Sequence, residues 1–114
     1  MSSQVQIDLT ILRGTDFSSS FVISDKDGPI DMTGWTVKSE IRDRRNQNSN
    51  LIKAFNVNTD NLAVGKIILE LSDSEISTIT QSSGWYDVLY TTDTGIDYRY
   101  FYGEVKLLGT VTKK

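Results

Sequence analysis

The stretch Trp35-Thr36-Val37-Lys38-Ser39-Glu40-Ile41-Arg42-Asp43 decides how the rest of the chain is read. Trp35, Val37, Ser39 and Ile41 fall on one face, and Thr36, Lys38, Glu40 and Arg42 on the other. That is the period of a half-buried β-strand, not of a helix. The same alternation recurs on both sides of it. Residues 4–12 place Val5, Ile7, Leu9 and Ile11 together. Residues 17–24 group Phe17, Ser19, Phe21 and Ile23. Residues 51–57 put Leu51, Phe55 and Val57 together, and residues 65–71 do the same for Ile67, Leu69 and Leu71. Residues 84–92 and 97–108 are the last long strands, and residues 110–112 form a short terminal one.

Short polar breaks part these strands. Arg13-Gly14-Thr15-Asp16 and Asp25-Lys26-Asp27-Gly28-Pro29 are turns. Thr91-Thr92-Asp93-Thr94-Gly95 joins the last two long strands as a hairpin. Residues 44–50 and 58–63 are polar loops, the first expected to be mobile. Ser72-Asp73-Ser74-Glu75 has the spacing of a capping box, so one or two helical turns follow, with Ile76 and Ile79 three apart. Seven main strands with almost no helix predict an all-β, immunoglobulin-like antiparallel β-sandwich of about seven strands, with one short helical turn. A small β-barrel has the same pattern and is the alternative. With 114 residues and no internal repeat, the chain is expected to form one domain over residues 1–114.

Composition narrows function. There is no Cys and no His. This removes disulfides, thiolate nucleophiles, imidazole bases and the usual zinc ligands. No cofactor, metal or catalytic residue is therefore expected, and the chain is not expected to be an enzyme. The net charge of −3 argues against nucleic acid as a partner. No apolar run reaches membrane-spanning length, and the polar start does not resemble a signal peptide. Synthesis in a reducing cytoplasm is expected.

Candidate sites are few. Asp25-Lys26-Asp27-Gly28 opens like a calcium loop, but Pro29 and Ile30 stand where further oxygen ligands belong, so a hairpin turn is the reading. Asp87 and Asp97 flank the last hairpin, yet nothing selects them as a glycosidase pair. Arg42, Arg44 and Arg45, with Lys53 near in sequence, make the only basic cluster, suited to a phosphate or an acidic partner. In residues 97–108, Phe101, Gly103, Val105 and Leu107 share the core face. Tyr98, Tyr100 and Tyr102 then stand in a row outside, as an interface would have them. A bulge near Gly103 is the competing reading, because it would switch faces and bury some of these rings. Tyr98, Tyr100, Tyr102, Arg44 and Arg45 are the expected protein interface. Exposed tyrosines with Trp85 would also suit a carbohydrate- or receptor-binding module. Ser83-Gly84-Trp85-Tyr86-Asp87-Val88 matches the start of strand F in immunoglobulin-like domains, with Val88 where a Cys would follow the Tyr and Trp35 in the place of the core Trp.

The order of these pieces resembles a family of small bacteriophage virion proteins, namely the N-terminal domains of upper baseplate proteins and related tail-fibre-adaptor domains. The matching residues are Leu12-Arg13-Gly14-Thr15-Asp16-Phe17, then Asp27-Gly28-Pro29-Ile30-Asp31-Met32-Thr33-Gly34-Trp35-Thr36-Val37, with one residue missing before the Pro. Glu40-Ile41-Arg42, Gly65-Lys66-Ile67-Ile68-Leu69-Glu70-Leu71-Ser72, Trp85-Tyr86-Asp87-Val88, Tyr102-Gly103-Glu104-Val105 and Val111-Thr112 follow in order. The resemblance implies an immunoglobulin-like sandwich that is a structural part of a virion tail or baseplate. It carries over no catalytic residue. The chain ends just after the matching region, which points to an adaptor, collar or cement subunit. Its expected partners are other virion proteins and further copies of itself.

Overall fold

In the computed structural model, residues 4–110 are described. Twelve strands appear in chain order: β1 Val5–Gln6, β2 Leu9–Leu12, β3 Phe17–Val22, β4 Ser24–Asp25, β5 Gly28–Pro29 and β6 Thr36–Arg42. β7 Leu51–Ala54, β8 Asn56–Asn58, β9 Lys66–Leu71, β10 Ser83–Thr91, β11 Asp97–Tyr98 and β12 Phe101–Leu108 complete them. The large sheet runs β1-β12-β10-β6-β7, with β2 continuing the first lane along β12 and β11 pairing β10. The small sheet is β3-β9-β8, and β4 and β5 form a separate hairpin. The two sheets enclose one apolar core, in which Ile11, Ile41, Ile67, Leu69, Val88 and Val105 are wholly buried. The sandwich was expected; the terminal strand at residues 110–112 lies mostly outside the described residues. No helix among those residues is long and apolar enough to cross a membrane.

The sandwich is not purely antiparallel. β1 and β2 both run parallel to β12, with Val5 beside Phe101 and Leu9 beside Val105. The stretch read as one strand over residues 4–12 is interrupted at Ile7 and Asp8, and partners distant in sequence are the reason. The Ile7 carbonyl turns inward and accepts a hydrogen bond from the Tyr86 hydroxyl at 2.6 Å. The vacated amide of Glu104 donates instead to Asp8 Oδ1 at 2.9 Å. Gly103 allows this, because a Cβ there would fall on the Ile7 carbonyl. Tyr86 therefore ties the first edge lane to the centre of the large sheet. In immunoglobulin-like domains the tyrosine at the start of strand F anchors a corner by bonding backbone a few residues upstream, whereas Tyr86 reaches Ile7. Trp35 also departs from that likeness: it precedes β6 and sits half-buried at one end of the core.

Residues 51–57 do not form a single strand. β7 pairs with β6 in the large sheet, and β8 with β9 in the small one. The chain changes sheet at Phe55, whose amide donates to the Ser39 carbonyl at 2.9 Å. A register shift opposite Ile41 and Arg42 half-buries Ile52 and leaves Leu51 49% exposed. Leu51 therefore does not share the core face with Phe55.

The capping box forms as its spacing predicts. Ser72 Oγ accepts from the Glu75 amide at 3.2 Å, and Glu75 Oε1 accepts from the Ser72 amide at 3.0 Å. The helix α1 is one turn, Asp73–Ile76, and it lowers Ile76 and Ile79 onto the core. Arg13 closes the segment behind it, donating to the carbonyls of Ile79 and Gln81 at 2.5 and 2.7 Å.

The junction at Ile7 yields a stability prediction. Gly103→Ala is expected to cost about 3 kcal/mol, because the new methyl meets backbone that cannot move away. Tyr86→Phe, which leaves the Ile7 carbonyl unpaired, should cost about 1–2 kcal/mol. Denaturant titration of the three proteins checks both values. Acid stability follows from three carboxyls, of which Asp31 is held low by the Thr33 hydroxyl and amide. The Glu104 amide, helped by Gln6, holds Asp8 below its ordinary pKa. The Ser72 amide, with Asn56 and the Ser72 hydroxyl, does the same for Glu75. Depressed native values mean stability that is present above the ordinary carboxylate range and lost as pH falls through them. Thermal melts toward low pH should fall less steeply in Asp8→Asn/Glu75→Gln than in the wild type.

Candidate functional site

The five residues expected to form one interface separate into two groups. The cause is one extra residue. Tyr90 stands opposite Tyr98, and Asp87 opposite Tyr102. Three steps along β10 thus face four steps along the other strand, which makes a bulge at Arg99 and Tyr100. The row of three tyrosines is broken there. The face switch that competed with it does occur, a few residues ahead of Gly103.

Tyr98 and Tyr100 turn toward the end of the core. Their rings stack at 5.4 Å, and Tyr98 stacks on Trp35 at 6.2 Å. Tyr90 meets Tyr100 edge-on at 5.4 Å and Trp35 edge-on at 6.4 Å. These rings are packed against one another, so Tyr98 and Tyr100 do not form an exposed stacking platform for a sugar. Tyr90 is fully buried, and its hydroxyl has no hydrogen-bond partner among the described residues. Burial pushes the Tyr90 phenol well above its ordinary pKa, with smaller contributions from Tyr100 and Tyr86.

Tyr102 stays outside, half-buried, on the outer face of the large sheet. There the alternation of β6 and β10 also sets Lys38, Glu40 and Arg42 beside Leu89, Asp87 and Trp85, pair by pair. Residues 43–50 fold back over this face and convert it into a groove of about 620 Å³. Lys38, Arg42, Arg44, Arg45 and Arg99 line it together with Glu40, Asp87, Trp85 and Tyr102. Arg44, Arg45 and Tyr102 are thus brought together, and Arg99 from the β11–β12 bulge and Lys38 from β6 join them. Lys53, close to the arginines in sequence, points elsewhere and bonds Thr78.

The loop over the groove, expected to be mobile, is folded on itself by its own hydrogen bonds. Asp43 and Asn50 close its neck: the Asp43 amide donates to the Asn50 carbonyl at 3.0 Å, and the Asn50 amide to Asp43 Oδ1 at 3.1 Å. Ser49 Oγ donates to the carbonyls of Asn46 and Arg44. Arg42 clamps the loop to the sheet, donating to the Ser49 carbonyl at 2.7 Å and to Glu40 Oε1 at 2.8 Å. Arg45 lies over the Tyr102 ring, its guanidinium carbon 3.9 Å from the centroid. Arg99 pairs with Asp87 at 3.1 Å. Arg44 and Lys38 have no ion pair among the described residues.

Other candidates stay plain. The Asp27 amide bonds Asp25 Oδ1 at 2.8 Å, the bond of a simple Asx turn at the β4–β5 hairpin. No group of three or more metal-ligating side chains occurs among the described residues. Asp97 is bonded to Thr91, which stands four residues along β10 from Asp87. That is about 13 Å at strand rise, wider than either glycosidase geometry.

Comparison with known proteins finds the architecture. No family model and no curated protein matches the chain. A VGSC beta subunit studied for multimeric cell-adhesive interactions superposes with a TM-score of 0.53 at 11% identity, over 90% of this chain and 92% of that one. The SrpA adhesin of Streptococcus sanguinis, as a mutant, gives 0.53 at 11% identity, over 90% of this chain and 55% of that one. A chain from the structure of T cell specificity and activation by the bacterial superantigen toxic shock syndrome toxin-1 gives 0.51 at 13%, over 89% and 92%. This is an immunoglobulin-like β-sandwich. The large sheet has β12, β10 and β6 in the positions of strands G, F and C, with β7 as C′, facing β3, β9 and β8 as B, E and D.

The orphaned hydroxyl at Tyr90 gives a prediction. Tyr90→Phe keeps the ring packing and removes a buried group without a partner, so stability should be unchanged or rise by up to about 1 kcal/mol. Tyr90→Ala should lose about 3–5 kcal/mol. Equilibrium unfolding of both variants checks the contrast.

Proposed function

We propose that this chain is a non-enzymatic protein-contact module whose working surface is the arginine-lined groove. In this reading it serves as a structural subunit of a bacteriophage virion, a tail or baseplate adaptor or a cement subunit. The observation that carries the contact reading is convergence: four of the chain's five arginines line one groove, around Tyr102 and Trp85. Arginine and aromatic side chains are the residues that dominate binding energy at protein interfaces. Guanidinium groups also favour carboxylate partners through forked hydrogen bonds.

Two of the similar structures come from proteins named for adhesion, a VGSC beta subunit and SrpA, so this architecture supports contact functions elsewhere. The virion setting is supported by the ordered sequence resemblance, above all the residues 27–37 segment and its position between the first strands. The loss of the tyrosine row weakens the carbohydrate reading, since two of its three rings are packed together.

Particle incorporation tests the proposal. The wild-type chain is expected to co-sediment with purified particles of the phage that encodes it, in stoichiometric amount. Arg44→Glu/Arg45→Glu, which removes no side-chain hydrogen bond and gives up only the Arg45–Tyr102 contact, should stay folded with a slightly lowered melt and be absent from the particles. A wild-type chain missing from particles would sink the virion setting. A variant that incorporates normally would sink the groove as the contact surface.

A further inference from the structure

We propose that the groove receives the acidic, turn-bearing end of a second copy of this chain, so that copies join head to tail. The inference rests on the groove being the contact surface and names what fills it. Its ground is the division of charge within one molecule. Five cations and two acids line the groove, although the whole chain carries fifteen acids and twelve cations. Both groove acids are already matched, Glu40 by Arg42 and Asp87 by Arg99. The uncompensated charge there is positive, centred on Arg44, Arg45 and Lys38.

The opposite sign is concentrated at the end of the sandwich where β3 and β10 finish and β9 begins. Four turns meet there. The Ile30 amide donates to the Ile23 carbonyl, tying the β4–β5 hairpin down. The Met32 amide donates to the Leu62 carbonyl, joining the next segment to the 59–64 turn. The Cβ position of Gly34 lies 3.3 Å from Asp93 Cβ in the β10–β11 turn. Together they carry Asp25, Asp27, Asp31, Asp60, Asp93 and Asp97 against one cation, Lys26, and none of the six has an ion pair among the described residues. Gly28 and Gly95 face open space, so two of these turns project from the body. Ile96, 52% exposed, stands between Asp93 and Asp97 and gives that turn an apolar tip for Trp85, Leu89 or Tyr102 to cover.

Symmetry supports the same pairing. A two-fold contact through the groove would set three uncompensated cations against three, which costs rather than contributes. Groove against acidic end joins unlike surfaces, a heterologous contact that closes a ring or extends a filament. Such a contact is strengthened at low ionic strength and screened by salt.

Sedimentation velocity with two complementary variants tests this. Wild type is expected to associate beyond a dimer at low salt and to fall apart as salt rises. Arg44→Ser/Arg45→Ser lacks the free charge of the groove, and Asp27→Asn/Asp93→Asn lacks the free charge of the acidic end; each alone should be monomeric, with circular dichroism unchanged. Mixed in equal amounts, they should form a one-to-one dimer that grows no further, because the mixture holds one intact groove and one intact end. Association by either variant alone, or no dimer in the mixture, overturns the head-to-tail contact. So does a wild type that stays monomeric at low salt and high concentration. If that monomer binds polyglutamate, and Arg44→Glu/Arg45→Glu does not, the occupant is a foreign acidic chain. The groove reading would then survive, and particle incorporation would still test it.

Discussion

One inserted residue opposite β10 governs which rings of this protein are inside. Because the last hairpin bulges at Arg99 and Tyr100, Tyr98 falls beside buried Tyr90 while Tyr102, four residues on, faces out. Without the bulge the tyrosines would alternate as a single row, and the end of the core would lack its Trp35–Tyr98–Tyr100 stack. Arg45 would also lose the isolated ring it covers. The same insertion sets Arg99 beside Asp87 on the outer face. Packing at one end of the sandwich and charge in the groove are therefore two results of one register change.

A second constraint holds the edge of the same sheet. A parallel edge lane against β12 would normally keep its carbonyls in the ladder. Here the Ile7 carbonyl leaves it for the Tyr86 hydroxyl, and Asp8 fills the vacancy at Glu104. The exchange pairs every group it touches, so it imposes shape without leaving buried polar atoms alone. It also explains a small residue in the middle of a long strand, since only Gly103 leaves room for the turned carbonyl. Strands β12 and β10 are thereby held in register beneath Tyr102 and Trp85, and they form the floor of the groove.

The loop of residues 43–50 shows what a polar composition can build. Its Asn, Ser and Arg residues are those of a solvated, mobile connection, and they are mostly exposed. Yet the Asn and Ser side chains and Asp43 supply the hydrogen bonds that fold the loop on itself, and Arg42 fastens it to the sheet. Polarity in a loop is compatible with order when the polar groups are satisfied locally. A loop folded on itself in this way presents Arg44 and Arg45 from a defined backbone.

Much of the fold was legible from alternation alone. The core faces of β6, β9 and β12 and the capping box before α1 all follow from spacing, because a period of two admits one inward face per strand and Ser72 and Glu75 can reach each other's backbone. The absence of Cys and His likewise closed off whole classes of chemistry before any geometry was known. The sequence by itself thus determined a β-sandwich with an apolar interior and turns at set places, since these depend on local period and turn chemistry. Only the tertiary structure decided where that period is interrupted: at Ile7, at Phe55 and at Arg99–Tyr100. Each interruption answers to a partner distant in sequence, namely Tyr86, Ser39 or β10, and local alternation carries no record of such partners. The grouping of Arg99 and Lys38 with Arg44 and Arg45 belongs to the same class. It arises from the lateral order of strands in the large sheet, which brings together side chains more than fifty residues apart.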